Sequence, residues 1–101
     1  MKIDKYYNED KTILNLPDDF TNSLQFVSFP TSLHTIIFGT QYTRNISQIK
    51  FPKSLQSIIF GAFFNESLEQ VKFPDSLQTL YFGHLRETVF PWMHPINVYI
   101  Y

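Results

Sequence analysis

The sequence predicts a mainly β solenoid, a stack of short repeated turns. Three observations predict it. An eleven-residue stretch recurs three times, as Phe29–Gly39, Phe51–Gly61 and Phe73–Gly83, reading F-P-T-S-L-H-T-I-I-F-G, F-P-K-S-L-Q-S-I-I-F-G and F-P-D-S-L-Q-T-L-Y-F-G. Its prolines, Pro30, Pro52 and Pro74, recur with a 22-residue period, and a fixed period of this order marks stacked-repeat proteins. Each period also carries apolar residues at fixed places, with Pro and Gly punctuating it too often for ordinary helices.

The second repeat serves as the template. Leu55, Ile58 and Phe60 form an L-x-x-I-x-F unit, Phe64 follows, and Leu68, Val71 and Phe73 form a second unit. One turn back stand Leu33, Ile36, Phe38, Tyr42, Ile46, Ile49 and Phe51; a further turn back stand Leu14, Leu16, Phe20, Leu24, Val27 and Phe29. Lys11 stands where a leucine is expected and Pro17 where a glycine is, so residues 1–11 are read as an N-terminal cap, which a solenoid needs over an open end. Past Gly83 a step of 21 recovers the pattern: Leu85 then matches Phe64, Val89 matches Leu68, Trp92 matches Val71, Pro95 matches Pro74, Val98 matches Leu77 and Tyr101 matches Leu80. The expectation is one domain over 1–101, with repeats from about residue 12 in about four turns, each of 21 or 22 positions.

Alternation at the end of each unit, as in Ile58 and Phe60, fits a short strand with one buried face. Gly closes the strand, where a positive φ is expected, and Pro suits the corner before the next strand. Corresponding strands then stack in parallel about 4.8 Å apart. The inward columns are Leu14–Ile36–Ile58–Leu80 and Leu16–Phe38–Phe60–Phe82. The second unit, read as a second strand, builds Leu24–Ile46–Leu68–Val89 and Val27–Ile49–Val71–Trp92, with Ser28, Lys50 and Lys72 facing water. Eleven Phe and six Tyr supply rings to fill a narrow core.

The chemistry of sites is sparse. There is no cysteine, so thiolate ligands, cysteine nucleophiles and disulfides are excluded. His34, His84 and His94 occupy unrelated positions without metal-ligand spacing. Ser32, Ser54 and Ser76 recur in every turn, as corner residues bonding local backbone would, whereas a nucleophile is needed once. Asp18-Asp19 is read as the cap of a short helix rather than an acid–base pair. Gly39, Gly61 and Gly83 are single glycines and make no phosphate loop. No enzyme and no cofactor are expected.

A formal net charge of -1 gives no footprint for nucleic acid or anionic membrane. No apolar run spans a bilayer and the charged start is no signal peptide, so a soluble cytoplasmic protein is expected.

The residues that alternate with the buried columns are the informative ones. Asn15, Ile37, Ile59 and Tyr81 form one outward column, and Ile13, Thr35, Ser57 and Thr79 form its neighbour. Ile37, Ile59 and Tyr81, with Thr35, Ser57 and Thr79 beside them, make a candidate partner-binding face, since contiguous exposed apolar surface marks contact sites. Flanking side chains or a second layer covering the same row is the alternative reading.

The pattern P-x-S-L-x-x-I-x-F-G-x-x-F-N-x-x-L, met in full at Pro52–Leu68, resembles the FNIP repeat, a 22-residue relative of the leucine-rich repeats. Phe64-Asn65 supplies the F-N; Phe20-Thr21, Tyr42-Thr43 and Leu85-Arg86 replace it elsewhere. The resemblance implies a leucine-rich-repeat-like solenoid without enzymatic activity, used for protein–protein contact. A protein partner is thus expected, and self-association through the open ends of the stack is the alternative.

Overall fold

The computed structural model describes residues 3–83 and 96–101. Five short strands form one parallel sheet in chain order: β1 (Ile13–Asn15), β2 (Thr35–Ile37), β3 (Ser57–Ile59), β4 (Thr79–Phe82) and β5 (Asn97–Ile100). Leu14, Ile36, Ile58 and Leu80 lie directly across from one another, so the register advances by the 22-residue period at each step. All four are fully buried. The predicted column is therefore real, and side-chain identity repeats because each position meets its own equivalent above and below.

Each 22-residue turn holds one strand and three tight turns. In the first, Phe20, Tyr42 and Phe64 donate their N–H to the Pro17, Gly39 and Gly61 carbonyls. In the second, Val27, Ile49 and Val71 donate to Leu24, Ile46 and Leu68. In the third, Leu33, Leu55 and Leu77 donate to Pro30, Pro52 and Pro74. These nine bonds run 3.0–3.2 Å, each from a residue to the carbonyl three before it. Proline fits the first place because that place supplies a carbonyl and needs no N–H. The closing residue sends its side chain into the core; Leu33 and Leu55 are fully buried, Tyr42 and Phe64 almost so.

The second L-x-x-I-x-F unit is thus a tight turn, where a second strand was expected. Buried residues three apart suit the two ends of such a turn as well as they suit a strand's approach. Ser23, Asn45 and Ser67 support this turn at the same period: their side-chain oxygens accept from the N–H of Gln25, Ser47 and Glu69. Asp18 caps no helix either. Its chain leaves the Pro17–Phe20 turn after one bond, and its carboxylate accepts from the Thr40 N–H of the next turn at 3.2 Å.

The glycines serve a different purpose from the one expected. None has a positive φ. A Cβ built on Gly61 would stand 2.1 Å from the Gly39 carbonyl oxygen, and one on Gly39 2.2 Å from that of Pro17. Glycine is needed because the neighbouring turn's backbone passes where a side chain would start. The serines also act between turns rather than within one. Ser32, Ser54 and Ser76 donate to the carbonyls of Lys11, Leu33 and Leu55 in the preceding turn, at 2.9, 2.5 and 2.6 Å.

Stacked rings run along the core. Phe38 and Phe60 are parallel within 5° at 5.6 Å, and Phe60 and Phe82 within 8° at 5.0 Å. Phe64 and Tyr42 lie beside this column at 4.3 and 4.6 Å from Phe60 and Phe38. Burying each such side chain contributes about 1.5–3 kcal/mol, and since no turn can bury its own face, that gain exists only in the stack.

At the β1 edge the chain doubles back. A single 3₁₀ turn, Asp4–Tyr6, precedes an antiparallel bridge between Tyr7 and Leu14. Ile3 is buried, and Tyr6 meets Phe20 edge-on at 5.9 Å.

Three steps of this period link β1 to β4, against the four turns expected. The step to β5 is shorter: Tyr99 lies across from Tyr81, an offset of 18 in place of the expected 21. Val98 lies across from Leu80 rather than matching Leu77, and Ile100 lies across from Phe82. Tyr101 lies beyond that pair and donates its N–H to the Phe82 carbonyl at 2.9 Å. The readings made for His84, Leu85, Arg86, Val89, Trp92, His94 and Pro95 lie outside the described residues.

Candidate functional site

The candidate face is built by strand alternation alone. Burial of Leu14, Ile36, Ile58 and Leu80 turns their neighbours to the opposite side of the sheet. Register then places Asn15, Ile37, Ile59 and Tyr81 in one row, with Ile13, Thr35, Ser57 and Thr79 in the other. Asn15 is exposed; Ile37, Ile59, Tyr81, Thr35, Ser57 and Thr79 are half-buried. Side chains stacked about 4.8 Å apart shield one another's flanks, so half-burial is what an open sheet face presents. Ile37, Ile59 and Tyr81 are absent from the packed core, whereas Phe29, Phe51 and Phe73 rest against it from the turns.

The row is longer than the sequence reading made it. Tyr99 lies across from Tyr81, and their rings stack at 5.3 Å with 24° between planes. Asn97 extends the polar row beside Thr79. The signal was present in Thr79-Leu80-Tyr81-Phe82 against Asn97-Val98-Tyr99-Ile100, where polar, apolar, tyrosine and apolar residues align at 18.

The other groups singled out do not converge on this face. Lys50 and Lys72 directly follow the second tight turn, exposed, along an open groove of about 540 Å³ that also includes Gln48, Gln70 and Phe51. His34 Nδ1 lies 2.8 Å from the Thr35 hydroxyl. Among the described residues no group of three His, Asp or Glu could hold a metal ion, and no helix is long and apolar enough to cross a membrane. Sequence reading also missed two bare aromatics: Phe26, 91% exposed, and Phe63, 64% exposed, both on tight turns. Neither belongs to a repeated column, so periodicity gave no signal for them.

The FNIP Repeat family profile matches residues 20–63 and again 42–84. The chain belongs to the FNIP-repeat family. The two overlapping matches begin at positions 20 and 42, one repeat period apart, which is the step of the β1–β4 register. A comparison with curated proteins finds no match.

Proposed function

We propose that this FNIP-repeat chain is a non-enzymatic protein-interaction module that presents the outer face of its sheet to a protein partner. The observation carrying this reading is the unbroken row Ile37–Ile59–Tyr81, which continues to Tyr99 and lies on the face away from the core. Apolar side chains in line on a solvated sheet contribute nothing to the core they turn away from. Removing them from water against a partner gains roughly 25 cal/mol per Å² of apolar surface. Thr35, Ser57 and Thr79 beside them supply hydroxyls that fix the partner's orientation through hydrogen bonds.

The test is affinity capture with the unsubstituted chain, an Ile37→Glu/Ile59→Glu/Tyr81→Glu variant and a Lys50→Glu/Lys72→Glu variant in parallel. The face variant is expected to keep its circular dichroism spectrum and lose the captured protein, which the lysine variant retains. Equal capture by all three would refute the face. Unfolding of the face variant would assign the row to packing.

A further inference from the structure

The two edges of the sheet differ. At β1 the outer edge is in use: Asn8 donates its N–H to the Ile13 carbonyl at 3.0 Å, and its side-chain oxygen accepts from the N–H of both Thr12 and Ile13 at 2.9 Å. Tyr7 completes the antiparallel bridge there. At β5 the outer edge meets no other strand among the described residues. Val98, Tyr99, Ile100 and Tyr101 are 47–63% exposed, and no residue from Ile96 to Tyr101 has a charged side chain or is proline. Edges that must stay single carry charge, proline or a bulge.

We propose that β5 is the interface of a closed dimer, formed by antiparallel pairing with β5 of a second copy of this chain about a two-fold axis at Tyr99. The backbone geometry selects this register. Asn97 and Tyr101 direct their N–H groups to Gln78 and Phe82 on the β4 side. Since direction alternates along a strand, Tyr99 does the same, and Val98 and Ile100 present N–H and C=O to the open edge. Opposing Val98 to the partner copy's Ile100, twice over, satisfies these groups with four hydrogen bonds. Tyr99 then faces its own copy as a non-hydrogen-bonded pair, with Cα atoms about 4.5 Å apart.

The side chains fit the same arrangement. Asn97-Val98-Tyr99-Ile100-Tyr101 has an aliphatic residue on each side of Tyr99, so reversing the strand preserves the pattern. Val98 and Ile100 continue the inward columns of Leu80 and Phe82, and the pairing covers their exposed flanks. The Tyr81–Tyr99 stack continues through the axis into the second copy. With no charged side chain on the strand, two copies meet without repulsion there. Head-to-tail stacking is closed off, because Tyr7 and Asn8 already occupy the β1 edge. Association therefore stops at two.

Two measurements test this on the whole chain. Light scattering is expected to rise from 12.0 kDa to twice that mass with concentration and then level off. Under mild oxidation the Tyr99→Cys variant is expected to crosslink to itself, because the axis puts its Cα pair within disulfide reach and the chain has no other cysteine. Asn15→Cys on β1 and Ile37→Cys on the sheet face are expected to remain monomeric on the same non-reducing gel. A mass fixed at 12.0 kDa, growth past the dimer, or a dimer that crosslinks at Ile37→Cys and not at Tyr99→Cys would each overturn the proposal. Should the Tyr99→Cys variant fail to fold, the mass of the unsubstituted chain still decides between a dimer and either alternative.

Discussion

Replacing Gly61 by alanine probes how closely successive turns approach. The new Cβ would lie 2.1 Å from the Gly39 carbonyl oxygen, 2.5 Å from its carbon and 2.8 Å from the Thr40 Cα. All three are backbone atoms of the adjacent turn, so no side chain can swing away. Relief requires the two turns to part by about 1 Å, since a carbon–carbon contact settles near 3.5–4.0 Å. That displacement strains the Phe38 N–H bond to Ile59, 2.8 Å, and the Phe63 N–H bond to Thr40, 3.2 Å, and loosens the ring column between Phe38 and Phe60. Overpacking a rigid site costs about 1–3 kcal/mol, and a backbone obstacle puts this one at the upper end or beyond. For a domain of this size about 3 kcal/mol lowers Tm by roughly 12–24 °C. Urea unfolding followed by circular dichroism measures it. Gly61→Asn separates the contact from a conformational cause: asparagine accepts a left-handed backbone, so it would outperform alanine if φ were the reason, and the contact account has it do worse. Gly83→Ala, whose Cβ would meet the Ala62 Cα at 2.7 Å, is expected to cost less than Gly61→Ala. Loss of under about 0.5 kcal/mol at Gly61 would refute the close approach of the turns, because ordinary surface changes fall in that range.

Ser54→Ala removes the hydroxyl that bonds the Leu33 carbonyl across turns, and is expected to cost about 1 kcal/mol in the same assay, with exposed Ser32→Ala costing less. Tyr42 is almost fully buried and its hydroxyl makes no hydrogen bond of ordinary geometry, so Tyr42→Phe is expected to stabilise the chain by about 1 kcal/mol, read from the urea midpoint. Burial pushes the Tyr42 phenol above its ordinary 10.0, against weaker pulls from the Arg44 charge and the Leu24 backbone. A raised folded value leaves stability intact below pH 10.0 and removes it as pH climbs from there toward the folded value, so the chain is expected to weaken in alkali and Tyr42→Phe to weaken less.

The inward columns were legible because a parallel stack at constant register places each side chain against its own equivalent, and Leu14, Ile36, Ile58 and Leu80 show this by spacing alone. The outward row followed from alternation. The second unit misled because its spacing is ambiguous: Ile46 and Ile49 are both inward at the ends of a tight turn, three apart, as they would be in a helix or beside a strand. Gly61 was visible as a turn signal, but its cause is a distance between turns, which no single repeat contains. The step to β5 was missed because Leu85, Val89, Trp92 and Pro95 all align with Phe64, Leu68, Val71 and Pro74 at 21. The pairing instead sets it at 18, because Val98 and Ile100 lie across from Leu80 and Phe82 and so continue the inward columns.

Ile58 and Ile59 are adjacent in the chain and opposite in the fold, and a glutamate at each in turn tests the account most directly. Ile58 is fully buried in the column between Ile36 and Leu80, while Ile59 is half-buried in the outer row. An unpaired charge at Ile58 costs several kcal/mol against a total stability of about 5–15 kcal/mol. Ile58→Glu is therefore expected to leave the chain unfolded in circular dichroism, and Ile59→Glu to fold within about 1 kcal/mol of the unsubstituted chain, as solvated sheet positions do. Equal unfolding of the two variants would contradict both the outward face and the function drawn from it.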